Sequence, residues 1–359
     1  MPQPHASGYF RTDYADDWRL LQTRGQRGAA IAGVMLACVF PFVASPFLLD
    51  LANQVLIAVV GAVALMLLTG YAGQVSLGHA GLMAAGAFTT GILARETGAP
   101  FWIALPASGM AGALIGFLFG LPSLRLRGLY LAVSTLALHF IVIHAGQEYE
   151  TRRGLSSGVV IDPPALFGAE LIDPRLWYGT LFVCASATVL FALNLLRSRT
   201  GRAWRALHGR EPVAEALGIP VAGAKVSAFV IASTLTAMSG SLFAYYRGFV
   251  SSEAFSLFLT IQYVAMIIIG GMGSILGAVL GAAFVTLFPY LIEMALSKLP
   301  GGDAMSSLVF AVNYAAFGLV MILFLLFEPN GLIEIYRRIA EYFERWPFRY
   351  RELSPADRR

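Results

Sequence analysis

The stretch from Gly70 to Gly91, GYAGQVSLGHAGLMAAGAFTTG, lies within a run of residues apolar enough for a membrane. It nevertheless contains six glycines, a glutamine, a serine, a histidine and two threonines. Glycine costs about 1 kcal/mol relative to alanine in an exposed helix interior. In lipid, an interrupted helix is tolerated only where it is buried in protein or lines a water-filled cavity. The stretch therefore predicts a helix that is broken, or closely packed, beside a pathway through the membrane.

The composition of the whole chain agrees with a membrane setting. Of its 359 residues, 57% are hydrophobic and 13% are charged, and the mean hydropathy is +0.70. A soluble domain carries about 25% charged residues, so this chain has too few charges to cover a surface in water. We expect an all-α, polytopic bundle of membrane helices.

Ten segments of the chain approach the roughly 20 apolar residues that a helix needs to cross a bilayer. The eighth is short, and only GMGS separates it from the ninth. The predicted spans are 28–49, 51–69, 76–95, 101–121, 129–147, 176–196, 226–246, 257–271, 275–296 and 306–327.

The basic residues predict the orientation, because Lys and Arg accumulate in cytoplasmic loops. With the N-terminus inside, 19 of the 25 fall inside and 6 outside. This predicts a cytoplasmic arm over 1–27, a transmembrane domain over 28–330 and a basic cytoplasmic tail over 331–359. Because the basic residues flank the ends of spans, a nucleic-acid partner is not expected.

The two halves of the chain share short patterns five spans apart. Y-x-G-x-V-S occurs at 71–76 and again at 246–251, and the fourth and ninth spans both place glycine at every fourth position. An offset of five spans predicts an inverted repeat, which is a common transporter architecture. Small residues at this spacing also allow close packing of helices in lipid. The glycines expected at close contacts or breaks are Gly70, Gly73, Gly78, Gly112, Gly116, Gly120, Gly270, Gly271, Gly273, Gly277 and Gly281.

No pattern in the chain predicts catalysis. The sequence lacks G-x-x-x-x-G-K-[ST], H-E-x-x-H and G-x-S-x-G. Cys38 and Cys184 lie far apart in apolar runs, so neither a disulfide nor a metal site is expected. No cofactor is expected either. The spans are almost free of carboxylates, with Asp50 and Glu148 at span ends and Glu293 near one, which disfavours a proton or sodium cycle.

Four neutral polar side chains are candidates for the lining of the pathway: Gln74, Ser76, His79 and Thr135. They could offer hydrogen bonds to a zwitterionic solute without retaining it. The alternative is that they join helices together without touching any solute, because Ser and Thr commonly do so in membranes.

The longest basic inside loop, at about 197–225, could contact a cytoplasmic motor. Pro212 favours the start of a short helix and Gly218 favours its end. Both signs of charge occur there, at Arg202, Arg205, Glu211 and Glu215. The alternative is a solvated loop without a partner.

Four stretches resemble one known family. They are GYAGQVSLGHAGLMAAGAFTTG (70–91), LRLRGLYLAVSTLA (124–137), TGRAWRALHGREPVAEALGI (200–219) and GFVSSEAFSLFLTIQYVAMIIIGGMGSILGAVLGA (248–282). In order and spacing they are similar to the LivM-type permease subunits of branched-chain amino-acid ABC importers, over roughly residues 50–330.

The resemblance implies a multi-pass protein of the bacterial inner membrane that moves Leu, Ile, Val or a similar small amino acid. It implies a homologous second permease subunit, two cytoplasmic ATPase subunits docking near Arg202 to Gly218, and a periplasmic solute-binding protein. Members usually carry a Gly-Gly pair in the outer loop after the fifth span, where this chain has Arg152 and Arg153. A self-contained secondary carrier or channel for a small polar solute is the alternative function.

Overall fold

The computed structural model describes residues 24–126, 128–155, 158–166, 169–297, 309–328 and 330–345. Helices dominate these residues, which confirms the all-α expectation. The helices are α1 (Arg24–Val43), α2 (Pro46–Leu65), α3 (His79–Thr97), α4 (Phe101–Gly120), α5 (Leu129–Arg152), α6 (Pro174–Arg197), α7 (Arg199–Gly209), α8 (Glu211–Ala216), α9 (Val221–Arg247), α10 (Leu257–Gly270), α11 (Ile275–Ser297), α12 (Val309–Phe327) and α13 (Leu332–Arg345).

The chain divides into two compact units. Of the described residues, 24–44 and 334–345 belong to the first unit, which contains α1 and most of α13. Residues 45–333 form the second unit, which contains the remaining helices and everything described below.

Each of the ten predicted spans overlaps a helix. Among the described residues, six helices are long and apolar enough to cross a membrane, or seven if two shorter helices on either side of a break are counted together. A polytopic membrane bundle is therefore confirmed, whereas the count of ten stays a prediction. α3 is not among the six, and α10 has only 14 residues.

Helix α9 lies at the centre of the bundle and packs against α2, α3 and α4. Its contact with α3 is backbone against backbone: a Cβ at Gly86 would overlap the carbonyl of Ala237, and one at Gly240 the carbonyl of Met83. Buried hydroxyls add hydrogen bonds between helices, such as that from Thr90 to Ser241 at 2.7 Å. Close approach and interhelical hydrogen bonds are what hold helices together in lipid.

The quoted stretch interrupts the bundle between α2 and α3. After Leu65 the chain makes a π-helical turn over Met66–Tyr71, then runs without helical structure to Gly78. Gly73 has φ of +67°, a left-handed conformation that favours glycine. The helix resumes at His79, three residues later than the predicted start of the third span.

Short strands connect the loops at the end of the bundle where α5 and α9 terminate, here called the outer end. β1 (Val159–Val160) pairs antiparallel with β4 (Phe249–Val250), with Val159 opposite Val250. The carboxylate of Glu150 accepts bonds from the backbone N–H and hydroxyl of Ser252, at 3.1 and 2.7 Å. A second pair, β2 (Ala165–Leu166) with β3 (Ala169–Glu170), is antiparallel. The opposite end, which contains α7 and α8, is called the inner end.

Candidate functional site

The four side chains predicted to line a pathway are all buried at the break between α2 and α3. The hydroxyl of Thr135 accepts a bond from the backbone N–H of Leu77 at 2.9 Å and donates to the carbonyl of Ala132 at 2.9 Å. The hydroxyl of Ser76 accepts a bond from the N–H of Gly78 at 3.3 Å, and the side-chain amide of Gln74 donates to the carbonyl of Ala72 at 3.3 Å. These contacts fix the broken segment against α5.

His79 is the first residue of α3, and its ring contacts residues of α9 and α10. Its ring lies 4.5 Å from that of Tyr263, and its Nδ1 lies 3.5 Å from the hydroxyl of Thr236. The next N–H, of Ala80, donates to the hydroxyl of Thr260 at 3.1 Å, so α10 caps the start of α3. Among the described residues, the Nε2 atom of His79 has no hydrogen-bond partner. Neither of the two cavities described below is lined by any of the four predicted pathway residues.

The predicted inside loop forms two short helices that pack against the broken segment. The guanidinium of Arg205 in α7 lies 5.6 Å from the ring centre of Tyr71, at a distance suited to a cation–π contact. A Cβ on Gly73 would lie 3.1 Å from the Nδ1 of His208. A cavity of about 540 Å³ opens here, lined by Gly70, Tyr71, Arg205, His208, Met272 and Gly273. The first helix of the loop therefore contacts the break directly.

The same two short helices are attached to α9 by buried polar contacts. Trp204 of α7 is fully buried, and its indole N–H donates to the carbonyl of Ala224 at 3.0 Å and to the hydroxyl of Ser227 at 3.2 Å. The Nζ of Lys225 lies 2.6 Å from Glu211 Oε1, and the Lys225 side chain is 2% exposed. Sequence reasoning counted Lys225 among the charges of the inside loop and missed this pair. The signal available in the sequence was the rarity of lysine, because the chain has only two lysines.

The outward surface of α7 and α8 mixes charge with apolar side chains. Four of the predicted docking residues, Arg202, Arg205, Glu215 and Gly218, are exposed, whereas Glu211 is half-buried. Val213 and Leu217 are exposed beside them, with 52% and 73% of their surface accessible. The loop therefore presents apolar groups and charges of both signs on one exposed surface.

The predicted glycines lie at close contacts of two kinds. On α4, a Cβ at Gly112 or Gly116 would overlap Ser233 of α9, and one at Gly120 would lie 3.3 Å from the Cβ of Phe229. The others pack within the α10–α11 hairpin or at the breaks: Gly270, Gly277 and Gly281 against the facing backbone, Gly78 against the carbonyl of Thr135, and Gly70 against Met66 and Gly273.

Gly273 was expected to begin the series of glycines at every fourth position of the ninth span. It lies instead in the turn before α11, which begins at Ile275. Gly271 and Gly273 have φ of +108° and +81°, so this turn uses backbone conformations that favour glycine. Met66 connects the segment between α2 and α3 with the turn between α10 and α11, because its sulfur accepts a bond from the N–H of Gly273 at 3.2 Å.

A second cavity, of about 270 Å³, lies towards the outer end among α2, α3, α9, α10 and α11. Its polar wall includes Gln54, Tyr246, Arg247, Gln262 and Tyr290. The hydroxyl of Tyr290 donates to Gln54 Oε1 at 3.2 Å. Its remaining wall is mostly aliphatic and aromatic. Sequence reasoning did not find this site, because its lining comes from five helices spread along the chain.

The two outer arginines that depart from the family pattern form exposed ion pairs. Arg153 lies 2.5 Å from Glu96, and Arg152 lies 2.7 Å from Glu148. Within the part of the chain that the structure describes, no three His, Cys, Asp or Glu side chains cluster as a metal site would require.

Apolar helices long enough to cross a membrane, a buried non-helical segment between α2 and α3, internal cavities and a structured loop are features of membrane transport permeases. The chain belongs to the family of branched-chain amino acid transport system permease components, which matches residues 47–326. The resemblance recognised in the sequence is thereby confirmed.

Individual relatives agree with this assignment. The high-affinity branched-chain amino acid transport system permease protein LivM of Escherichia coli (strain K12) is 32% identical over 335 residues, 86% of this chain and 75% of the relative. A probable LivM of Methanocaldococcus jannaschii is 26% identical, covering 64% of this chain and 67% of the relative. The autoinducer 2 import system permease protein LsrC of Enterobacter sp. (strain 638) is 30% identical over 51% of this chain and 52% of its own length. No solved structure matches the chain.

Proposed function

We propose that this chain is a transmembrane subunit of an ABC importer that passes a branched-chain or similar small amino acid across the bacterial inner membrane. Two separate cytoplasmic ATPase subunits drive it, a homologous second permease pairs with it, and a periplasmic solute-binding protein delivers the solute. Membership in the family supports the transport role. The observation that supports the coupling is the inner loop. It offers an exposed mixed surface, and it contacts the segment between α2 and α3 through Arg205 and His208.

The orientation follows the charge distribution. The arm over 1–27, the loop over about 197–225 and the tail over 331–359 lie in the cytoplasm, and the domain over 28–330 lies in the membrane. Residues 1–23 of the arm and residues 346–359 of the tail are outside the described residues. The exposed charges of α7 and α8 support an inner location for the loop.

The contacts between helices support an inverted five-plus-five repeat. Under this repeat, α2 corresponds to α9, α3 to α10 and α4 to α11. The packing of α4 on α9 has its counterpart in that of α11 on α2, and the α3–α4 pair has its counterpart in α10–α11. The regularly spaced glycines do not follow this symmetry. The glycines of α4 face α9, whereas the glycines of α11 face α10.

Transport then proceeds by alternating access. Closure of the two ATPases moves α7 and α8, and these helices transmit the motion to the break at Tyr71 and Gly73 and to α9. A binding protein supplies most of the affinity, so the membrane pathway needs only weak selectivity. Gln74, Ser76, His79 and Thr135 hold the moving segment in one of its positions in this proposal, and the solute passes beside them.

Charge reversal in the loop tests the coupling. Arg202→Glu together with Arg205→Glu should abolish solute-stimulated ATP hydrolysis and lower the amount of ATPase that copurifies in mild detergent. Arg175→Glu, at the outer end, is the matched control and should leave ATPase copurification unchanged. Normal copurification and coupling in the double variant would remove the docking role.

A second test concerns the break itself. Gln74→Ala and His79→Ala should lower ATP-driven uptake more than they lower the amount of assembled complex, because both side chains are buried where the span is interrupted. Gln147→Ala changes an exposed glutamine of α5 and serves as the control. Unchanged uptake in both buried variants would remove these residues from the transport path.

A further inference from the structure

Two residues of opposite charge lie in or next to the wall of the cavity of about 270 Å³, here called the outer cavity: Arg247 lines it, and Asp50 bonds to two of its lining residues. No described carboxylate lies within ion-pair distance of the Arg247 guanidinium, which projects over the Phe243 ring at 5.7 Å. Asp50 has no ion-pair partner among the described cations. Arg247 and Asp50 do not pair with each other. A cation and an anion placed in this way are suited to a zwitterionic ligand, which carries one charge of each sign.

Asp50 acts on the cavity through two of its wall residues. Its carboxylate accepts a bond from the side-chain N–H of Gln54 at 2.7 Å and another from the hydroxyl of Tyr246. One of the two Gln54 amide N–H groups is thereby used, which orients its Oε1 as an acceptor, and Oε1 already accepts one bond from the Tyr290 hydroxyl. The second lone pair of Oε1 and the Tyr246 oxygen can still accept a hydrogen bond. These oxygens, next to a carboxylate, are suited to a ligand ammonium group.

A hydroxyl in the wall lacks a partner. Thr286 Oγ1 of α11 is buried and makes no hydrogen bond to any described residue, although Thr286 lines the cavity. A buried polar atom without a partner costs free energy unless something else satisfies it.

The remaining wall is suited to a branched aliphatic group. Ile57, Leu259, Met266 and Val285 come from α2, α10 and α11 and leave an apolar space between the polar groups. The cavity, at about 270 Å³, is several times the roughly 30 Å³ that one water occupies in the liquid. It therefore has room for a small amino acid.

We propose that this cavity binds one zwitterionic aliphatic amino acid, with its carboxylate at Arg247, its ammonium at the Gln54 and Tyr246 oxygens positioned by Asp50, and its side chain between the apolar residues of α2, α10 and α11. This assignment rests on the proposed transport function and names where in this subunit the solute is held.

Binding of labelled L-leucine to the full chain in lipid nanodiscs tests the site. Arg247→Gln should weaken leucine binding by about tenfold or more, because it removes a charge-assisted contact. Arg247→Lys should lose less, because the charge remains. Arg175→Gln, an exposed arginine that does not line the cavity, should bind leucine as the unmodified chain does.

The unmodified chain supplies a test that does not depend on any variant folding. L-leucinamide lacks the carboxylate and 4-methylpentanoate lacks the ammonium, so each should compete with leucine at least about tenfold more weakly. Equal competition by all three would mean an apolar space without a zwitterion site. That result, an absence of saturable leucine binding, or an unchanged affinity in a folded Arg247→Gln variant would each overturn the proposal.

Uptake by the reconstituted complex distinguishes an error in the cavity assignment from an error in the proposed importer function. If ATP drives leucine uptake and Arg247→Gln leaves its maximal rate at saturating solute-binding protein unchanged, the cavity assignment is wrong and the importer function stands. If the complete unmodified complex shows no ATP-driven uptake of any amino acid, the importer function itself is wrong.

Discussion

Removal of the Lys225 charge should release the inner loop from α9. In Lys225→Met, Glu211 would be left without the cation that lies 2.6 Å from its carboxylate. Breaking a buried ion pair from one side costs about 3–5 kcal/mol. The Glu211 side chain retains 19% exposure, so water can partly compensate, and we expect a cost near 3 kcal/mol, at the low end of that range.

The cost should appear as local opening of α8 and of the adjoining α7, because the pair joins the start of α8 to α9. A loss of about 3 kcal/mol corresponds to roughly a hundredfold faster amide hydrogen exchange across 199–218, up to the limit set by full opening. Mass spectrometry of the chain in nanodiscs measures this exchange. Solute-stimulated ATP hydrolysis in the assembled complex should fall in the same variant.

Two controls make the result specific. Replacing both partners, as Lys225→Met with Glu211→Gln, removes both charges and should restore slow exchange, because exchanging a whole buried pair for neutral groups is often close to neutral. Arg152→Met breaks an exposed pair with Glu148 and should change nothing measurable. If exchange over 199–218 in Lys225→Met stays within about twofold of the unmodified chain, a shift below 0.5 kcal/mol, the pair does not hold the loop.

Three further substitutions test the packing of the break and of the bundle. Gly86→Leu should abolish folded protein, measured by monodisperse yield in detergent, because its Cβ would overlap the α9 backbone. A Cβ at Gly179 meets nothing within 4 Å, so Gly179→Leu should be tolerated. Thr135→Val should lower stability by about 1–3 kcal/mol, seen as a lower thermal midpoint, because the N–H of Leu77 loses its acceptor; an unchanged midpoint would contradict that contact. Gly73→Ala should lower ATP-driven uptake with little loss of protein, because φ of +67° disfavours alanine and the added carbon would press on α7; normal uptake would mean that the loop does not act through this contact.

Local features of the fold could be predicted because their physical signals are local. Long apolar runs located the helices, and the concentration of glycine and polar side chains between Gly70 and Gly91 located the interruption. Pro212 lies in the first turn of α8, and Gly218, with φ of +78°, follows its end. These residues act through their own backbone, so the sequence around them is sufficient.

The outer cavity could not be predicted because its residues meet only through tertiary packing. Gln54 and Tyr290, for example, form a hydrogen bond across 236 positions of sequence. The Lys225–Glu211 pair was missed for a related reason, because a lysine near a span end normally lies in water on the cytoplasmic side. Only the folding of α8 against α9 buries it.

The central claim is that separate ATPase subunits supply the energy for transport through this chain. The direct measurement is leucine uptake by proteoliposomes that contain this chain, its partner permease and the two ATPases, with the binding protein outside and ATP inside. We expect accumulation only when ATP and both ATPases are present, and none from a proton or sodium gradient alone. Uphill accumulation by the chain without ATPases, driven by an ion gradient, would contradict the account and favour a self-contained carrier.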